Sequence, residues 1–163
     1  MQNEADFTKE DLDAVIGWTV VRAARQSARL LASTLEAHDL NPVEFGVLAQ
    51  LAVGRTGLTQ AEVARAAEIR PQSAAPVIAA LEERALLRRE GMRGRGRSGR
   101  ILLTSEGLKL LSAAFPDVLA TNATIAGERA SADIVNGALL TFLEKMREPE
   151  AVSASPTSSI GNQ

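Results

Sequence analysis

A chain of 163 residues with 45% apolar residues has material for one core, and 18 Lys and Arg against 20 Asp and Glu give a formal charge of −2. The absence of cysteine excludes disulfides, thiolate metal sites and thiol switches, and the single histidine, His38, leaves neither a His-rich metal site nor a Ser-His-Asp triad to build. No apolar run reaches the roughly 18 residues of a membrane span, and the acidic start lacks the pattern of a signal peptide, so the expectation is a cytoplasmic protein without a membrane partner.

Residues 1–7 read as a flexible arm. Thr8 offers a helix cap, with Glu10 and Asp11 in the first turn, and apolar residues at helical spacing from Leu12 to Leu35 predict one long helix over about 8–37. Asn41-Pro42-Val43-Glu44 is a capping box with proline at the first helical position, opening a second helix that stops near Gly54. Thr59-Gln60-Ala61-Glu62 opens a short third helix, and Pro71 a fourth that ends near Ala85. On the fourth, Ala74, Ile78 and Leu81 share an inward stripe, while Gln72, Ser73, Pro76, Ala79, Ala80 and Glu83 face away. Two short strands follow, Leu86–Glu90 and Arg100–Thr104, joined by a Gly- and Arg-rich loop. Thr104 or Ser105 caps a fifth helix in which Pro116 predicts a kink. A sixth helix carries Ile134, Val135, Leu139, Phe142, Leu143 and Met146, and residues 148–163 read as a disordered tail.

The charge is unevenly spread. From Arg84 to Arg100 there are seven arginines and one acid, a local +6, while the remaining eleven bases and nineteen acids leave −8 elsewhere. The fold class predicted is mainly α with a small β-hairpin wing: a winged helix-turn-helix over about 42–104, with flanking dimerisation helices at about 8–37 and 105–147. Such a unit suits duplex DNA. A helix presented by its N-terminus enters the major groove, and a slim cationic loop reaches the narrow minor groove, where negative potential attracts arginine.

Three stretches resemble the MarR family of bacterial transcriptional regulators: Leu58-Thr59-Gln60-Ala61-Glu62-Val63-Ala64, Leu81-Glu82-Glu83-Arg84-Ala85-Leu86-Leu87, and Arg97 followed after five residues by Leu103-Thr104-Ser105-Glu106-Gly107. The last is similar to the family's Asp-x-Arg, five residues, Leu-Thr-x-x-Gly. The resemblance spans about residues 10–147, with three departures. Arg95 stands where the family has an acid, Arg70 stands where Ser or Thr commonly caps the recognition helix, and Pro76 lies inside that helix, where it is expected to bend it.

The resemblance implies a homodimeric regulator, expected to be a repressor, reading a pseudo-palindromic operator and released by a small, aromatic or anionic effector. Candidate DNA-binding residues are Arg70, Gln72, Ser73, Pro76, Arg93, Arg95, Arg97 and Arg100. Gln72 suits adenine, Pro76 a thymine methyl, Arg97 the minor groove and the other wing arginines phosphates. Trp18, Arg22, His38 and Phe45 are candidates for an effector pocket, which the family places between its dimer helices and DNA-binding lobe. The residues leave alternatives open: Trp18 also suits core or dimer packing, His38 a surface or capping role, and Arg22 with Arg25 simple solvation of the helix. The competing reading of the whole is a winged-helix module that binds protein. An enzyme is disfavoured, because catalytic groups do not converge, and no cofactor or metal is expected.

Overall fold

Side chains that satisfy orphan N–H groups stand at the helix starts of the computed structural model, which describes residues 7–91 and 99–147. Thr8 caps α1 (Lys9–Asp13), Asn41 caps α3 (Pro42–Val53) and Thr59 caps α4 (Gln60–Ala66), each as a reciprocal box with the acid three residues on. Asn41 Oδ1 accepts from the N–H groups of Val43 and Glu44, both at 2.9 Å. The predicted first helix is two. Val15 adopts an extended conformation between α1 and α2 (Ile16–Glu36), which corrects the expectation of one helix over 8–37. Neither glycine nor proline marks this break. Asp13 at the end of α1 meets Arg22, one and a half turns into α2, at 2.8 Å.

α5 (Pro71–Glu83) begins at Arg70, which makes no side-chain cap, and it is assigned as one helix through Pro76. The hairpin pairs β1 (Leu87–Glu90) antiparallel with β2 (Arg100–Leu103), in register Leu87 with Leu103 and Glu90 with Arg100. Leu58 adds an isolated bridge to Ile101, giving and receiving backbone hydrogen bonds of 3.0 and 2.7 Å. The wing root is therefore sewn to the turn before α4. α6 (Ser105–Ala126) continues through Pro116, and α7 (Arg129–Arg147) follows.

Three helices end without the usual glycine. Asp39, Glu68 and Ala85 take positive φ of 50–56° after α2, α4 and α5. Each is followed by an N–H bonded to the carbonyl five residues back: Leu40 to Leu35, Ile69 to Ala64, Leu86 to Leu81. The carbonyls at the helix ends are satisfied in this way, and the chain turns sharply into the next element.

Contacts divide the chain into residues 1–121 and 122–163, α6 crossing from one to the other. The core of the first unit gathers Leu35, Val47, Leu48, Leu51, Val63, Ala74, Ile78, Leu81 and Ile101. It draws on α2, α3, α4, α5 and β2, so the inner stripe predicted for α5 is the one buried. In the second unit, α7 leaves Ile134, Val135, Leu139, Leu140 and Met146 exposed. No described helix is long and apolar enough to cross a membrane.

Candidate nucleic-acid interface

Burial of Ala74, Ile78 and Leu81 fixes which side of α5 is offered to a partner. Gln72, Ser73 and Pro76 are all exposed at its N-terminal end, as is Arg70 just before it. Proline has no N–H to give to the carbonyl of Gln72, so the usual helical hydrogen bond is missing at that step. Arg65, exposed in the last turn of α4, stands with Arg70 at the two ends of the turn between the helices. Arg65 was missed as a candidate because its position between apolar neighbours reads as an ordinary solvated helix residue.

The arginine block separates into two groups. Arg84 reaches Glu44 at 3.5 Å and donates to the carbonyl of Asp39 at 2.8 Å. Arg88 pairs with Glu90 across no strand at all, along β1 itself. Arg89 directs its Nε to both carboxylate oxygens of Glu82, at 3.0 and 2.9 Å, which ties β1 to α5. Arg84 and Arg89 brace the lobe, whereas Arg88 is paired within its own strand. Arg93, Arg95 and Arg97 lie outside the described residues.

Arg100 belongs to both groups. It is exposed at the start of β2, yet it donates to the carbonyl of Gly57 at 2.6 Å. Its guanidinium also lies near Glu62, where it adds to the effects that hold that carboxylate below its ordinary value; the larger causes are the hydrogen bonds from the backbone and hydroxyl of Thr59. One arginine thus links the wing root to the turn and cap that start α4. The same Nη1 also reaches the carbonyl of Thr56 at 3.5 Å, and the N–H groups on Nε and Nη2 are left for another acceptor.

Thr104 and Gly107, the Thr and Gly of the Leu-Thr-x-x-Gly stretch, meet at one carbonyl. The Thr104 hydroxyl donates to the carbonyls of Ala85 and Leu86 at 2.8 and 3.0 Å and accepts from the Gly107 N–H at 3.0 Å. A Cβ on Gly107 would run into the Leu86 carbonyl oxygen and come within 2.8 Å of Leu103 Cδ1. The motif is a clamp between the end of α5 and the start of α6.

The four candidates for an effector pocket are not gathered in one place. Phe45 packs against the core from α3. His38 Nε2 lies 2.7 Å from Asp117 of α6 and is largely covered, with 16% of its side chain exposed. Trp18 and Arg22 sit on the exposed side of α2. Arg25 stands 5.9 Å over the Trp18 ring, and Arg22 and Arg25 both line a groove on that helix. No cluster of three or more His, Cys, Asp or Glu suited to a metal occurs among the described residues.

A helix-turn-helix braced by an antiparallel hairpin is a winged-helix DNA-binding lobe in its architecture. Residues 38–98 match the model of the MarR family. The stretch that builds α3, α4, α5 and β1 is thus similar to that family, and the chain as a whole has the fold of its members. A MarR-family transcriptional regulator from Rhodococcus sp. RHA1 superposes with a TM-score of 0.74 at 23% identity, covering 85% of this chain and 96% of that one. CouR from Rhodococcus jostii RHA1, solved with p-coumaroyl-CoA, gives 0.73 at 24% identity, over 87% and 98%. Sco3205 from Streptomyces coelicolor, solved in complex with DNA, gives 0.73 at 22% identity, over 91% and 95%. No curated protein matches the chain in sequence.

Proposed function

We propose that the protein is a sequence-specific DNA-binding transcriptional regulator that acts as a homodimer and represses until a small molecule releases it. The observation that carries this reading is the exposed first turn of α5, held by a buried opposite face and set beside an arginine-rich hairpin. Gln72 and Ser73 read base edges, Pro76 touches a thymine methyl, and Arg70 contacts a phosphate. Arg97 enters the minor groove, while Arg93, Arg95 and the free donors of Arg100 meet phosphates.

Dimerisation is supported by apolar residues the chain leaves uncovered: Leu12, Val15 and Ile16 at 50–75% exposure, Phe115 and Leu119 on α6, Ile134 and Met146 on α7. Sco3205 is a relative in fold solved with DNA, and CouR one solved with p-coumaroyl-CoA. An effector that favours the conformer unable to bind DNA weakens DNA affinity by linkage. The reading puts the protein with the chromosome in the cytoplasm and gives no residue a catalytic role.

The test is capture of genomic fragments by the purified protein, followed by footprinting. Two protected half-sites about one helical turn apart are expected. Absence of salt-sensitive duplex binding overturns the reading in favour of a protein-binding module. Arg97→Ala tests the wing: operator affinity falls and the salt slope shrinks by about one unit, whereas an unchanged affinity and slope removes Arg97 from the interface.

A further inference from the structure

The exposed side of α2 carries a second concentration of positive charge that DNA reading does not use. From Ala14 to Leu35 the chain has three arginines, Arg22, Arg25 and Arg29, and no acid, although it totals −8 outside the hairpin block. At 100° per residue, Trp18, Arg22, Arg25 and Arg29 fall within an arc of about 60°, opposite Val20, Ser27 and Leu31, which are partly covered. They line up over about 16 Å of helix. Arg22, Arg25 and Arg29 edge an open groove of about 630 Å³ together with Thr19, Gln26 and Asp13.

A solvated helix face ordinarily mixes its signs. Here like charges stand at i, i+3 and i, i+4, a spacing that destabilises a helix. Arg22 is relieved by Asp13, and Arg25 leans on the Trp18 ring. Among the described residues neither Arg25 nor Arg29 has a carboxylate partner. The chain's one tryptophan lies 40% exposed at the same stripe. Guanidinium groups recognise phosphate and carboxylate by paired N–H donors, and an exposed indole offers a flat apolar surface for a ring.

We infer that this groove, with Trp18 beside it under Arg25, binds a small polyanion bearing a flat ring, with two or more negative groups spaced to meet Arg22, Arg25 and Arg29, as a nucleoside diphosphate has. Asp13, the one acid in the groove, opposes that ligand and competes for Arg22. The binding step stands on α2 alone; its use as the effector step rests on the regulatory reading proposed above.

The absence of other tryptophans and of tyrosine makes emission from Trp18 a direct reporter. The full chain, free of DNA, is titrated with adenosine 5′-diphosphate, inorganic pyrophosphate and adenosine. Adenosine diphosphate changes the emission saturably, pyrophosphate competes with it, and adenosine alone does neither. The double variant R25Q/R29Q weakens binding at least tenfold with a thermal midpoint no lower than that of the native chain, and Asp13→Asn tightens it several-fold. Overturning results are an emission that does not saturate with any probe, or saturation that R25Q/R29Q leaves intact. Because these measurements contain no DNA, their failure is separate from a failure of the footprint.

Discussion

Thr104 and Gly107 both answer to the carbonyl of Leu86, one by donating to it and the other by having no side chain in its way. Gly107→Ala therefore pushes α6 off the end of α5 and costs about 1–3 kcal/mol, read as a lower midpoint in urea. Arg100 is the second residue whose role lies in a distant backbone group. Arg100→Gln removes the bond to Gly57, and the Leu58 N–H, bonded to Ile101, exchanges with solvent about fivefold faster, the equivalent of about 1 kcal/mol. An unchanged exchange rate denies the clasp. Glu62 responds to pH with a defined sign. Hydrogen bonds from Thr59 hold its carboxyl below the ordinary 4.5, so the folded form binds its proton less readily than the unfolded one. The stabilisation is whole above 4.5 and drains away as pH falls through the lowered folded value. Amide protection in α4 drops over that acid range in the native chain and stays flat with Glu62→Gln, which keeps the acceptor.

The recognition helix shows how an element is positioned by burial and used by exposure. Ala74, Ile78 and Leu81 are fully buried, so the residues proposed to read bases are held by packing on the opposite face of the helix. Leu81→Ala costs about 2–5 kcal/mol, measured by denaturant unfolding, and it lowers operator affinity only through the folded fraction. Helix starts were legible because Thr8, Asn41 and Thr59 act on N–H groups two or three residues away. Helix ends were less so. Glu68 and Ala85 hold a left-handed conformation that local preference alone would give to glycine, and what holds them is the packing of Leu86 (7% exposed) and Ile69 against the core. The break at Val15 had no local signal at all.

At the scale of the whole molecule, the charge of −2 hides a cationic hairpin, a cationic stripe on α2 and an acidic remainder. Part of the hairpin's +6 is spent inside the lobe, since Arg84 and Arg89 pair with Glu44 and Glu82. Steering toward DNA falls to the arginines that remain. The uncovered apolar residues of α7 belong to the same scale, because a lone chain in water gains by burying them. Ile134→Lys with Leu140→Lys shifts the protein toward monomer in sedimentation and, by loss of the second half-site, lowers operator affinity by at least tenfold; a dimer that survives both changes moves the interface elsewhere.

The helix starts, the inner face of α5 and the crowding of arginine into the hairpin can be read along the chain, because each depends on residues close to one another in order. The tertiary structure decided what those residues do. Arg100 and Gly57 are 43 residues apart, Arg84 and Asp39 are 45, and His38 and Asp117 are 79. Spacing along the chain carries no signal for such pairs, since only packing of the core brings their elements together. The same packing turned Arg84 and Arg89 of one arginine run into braces.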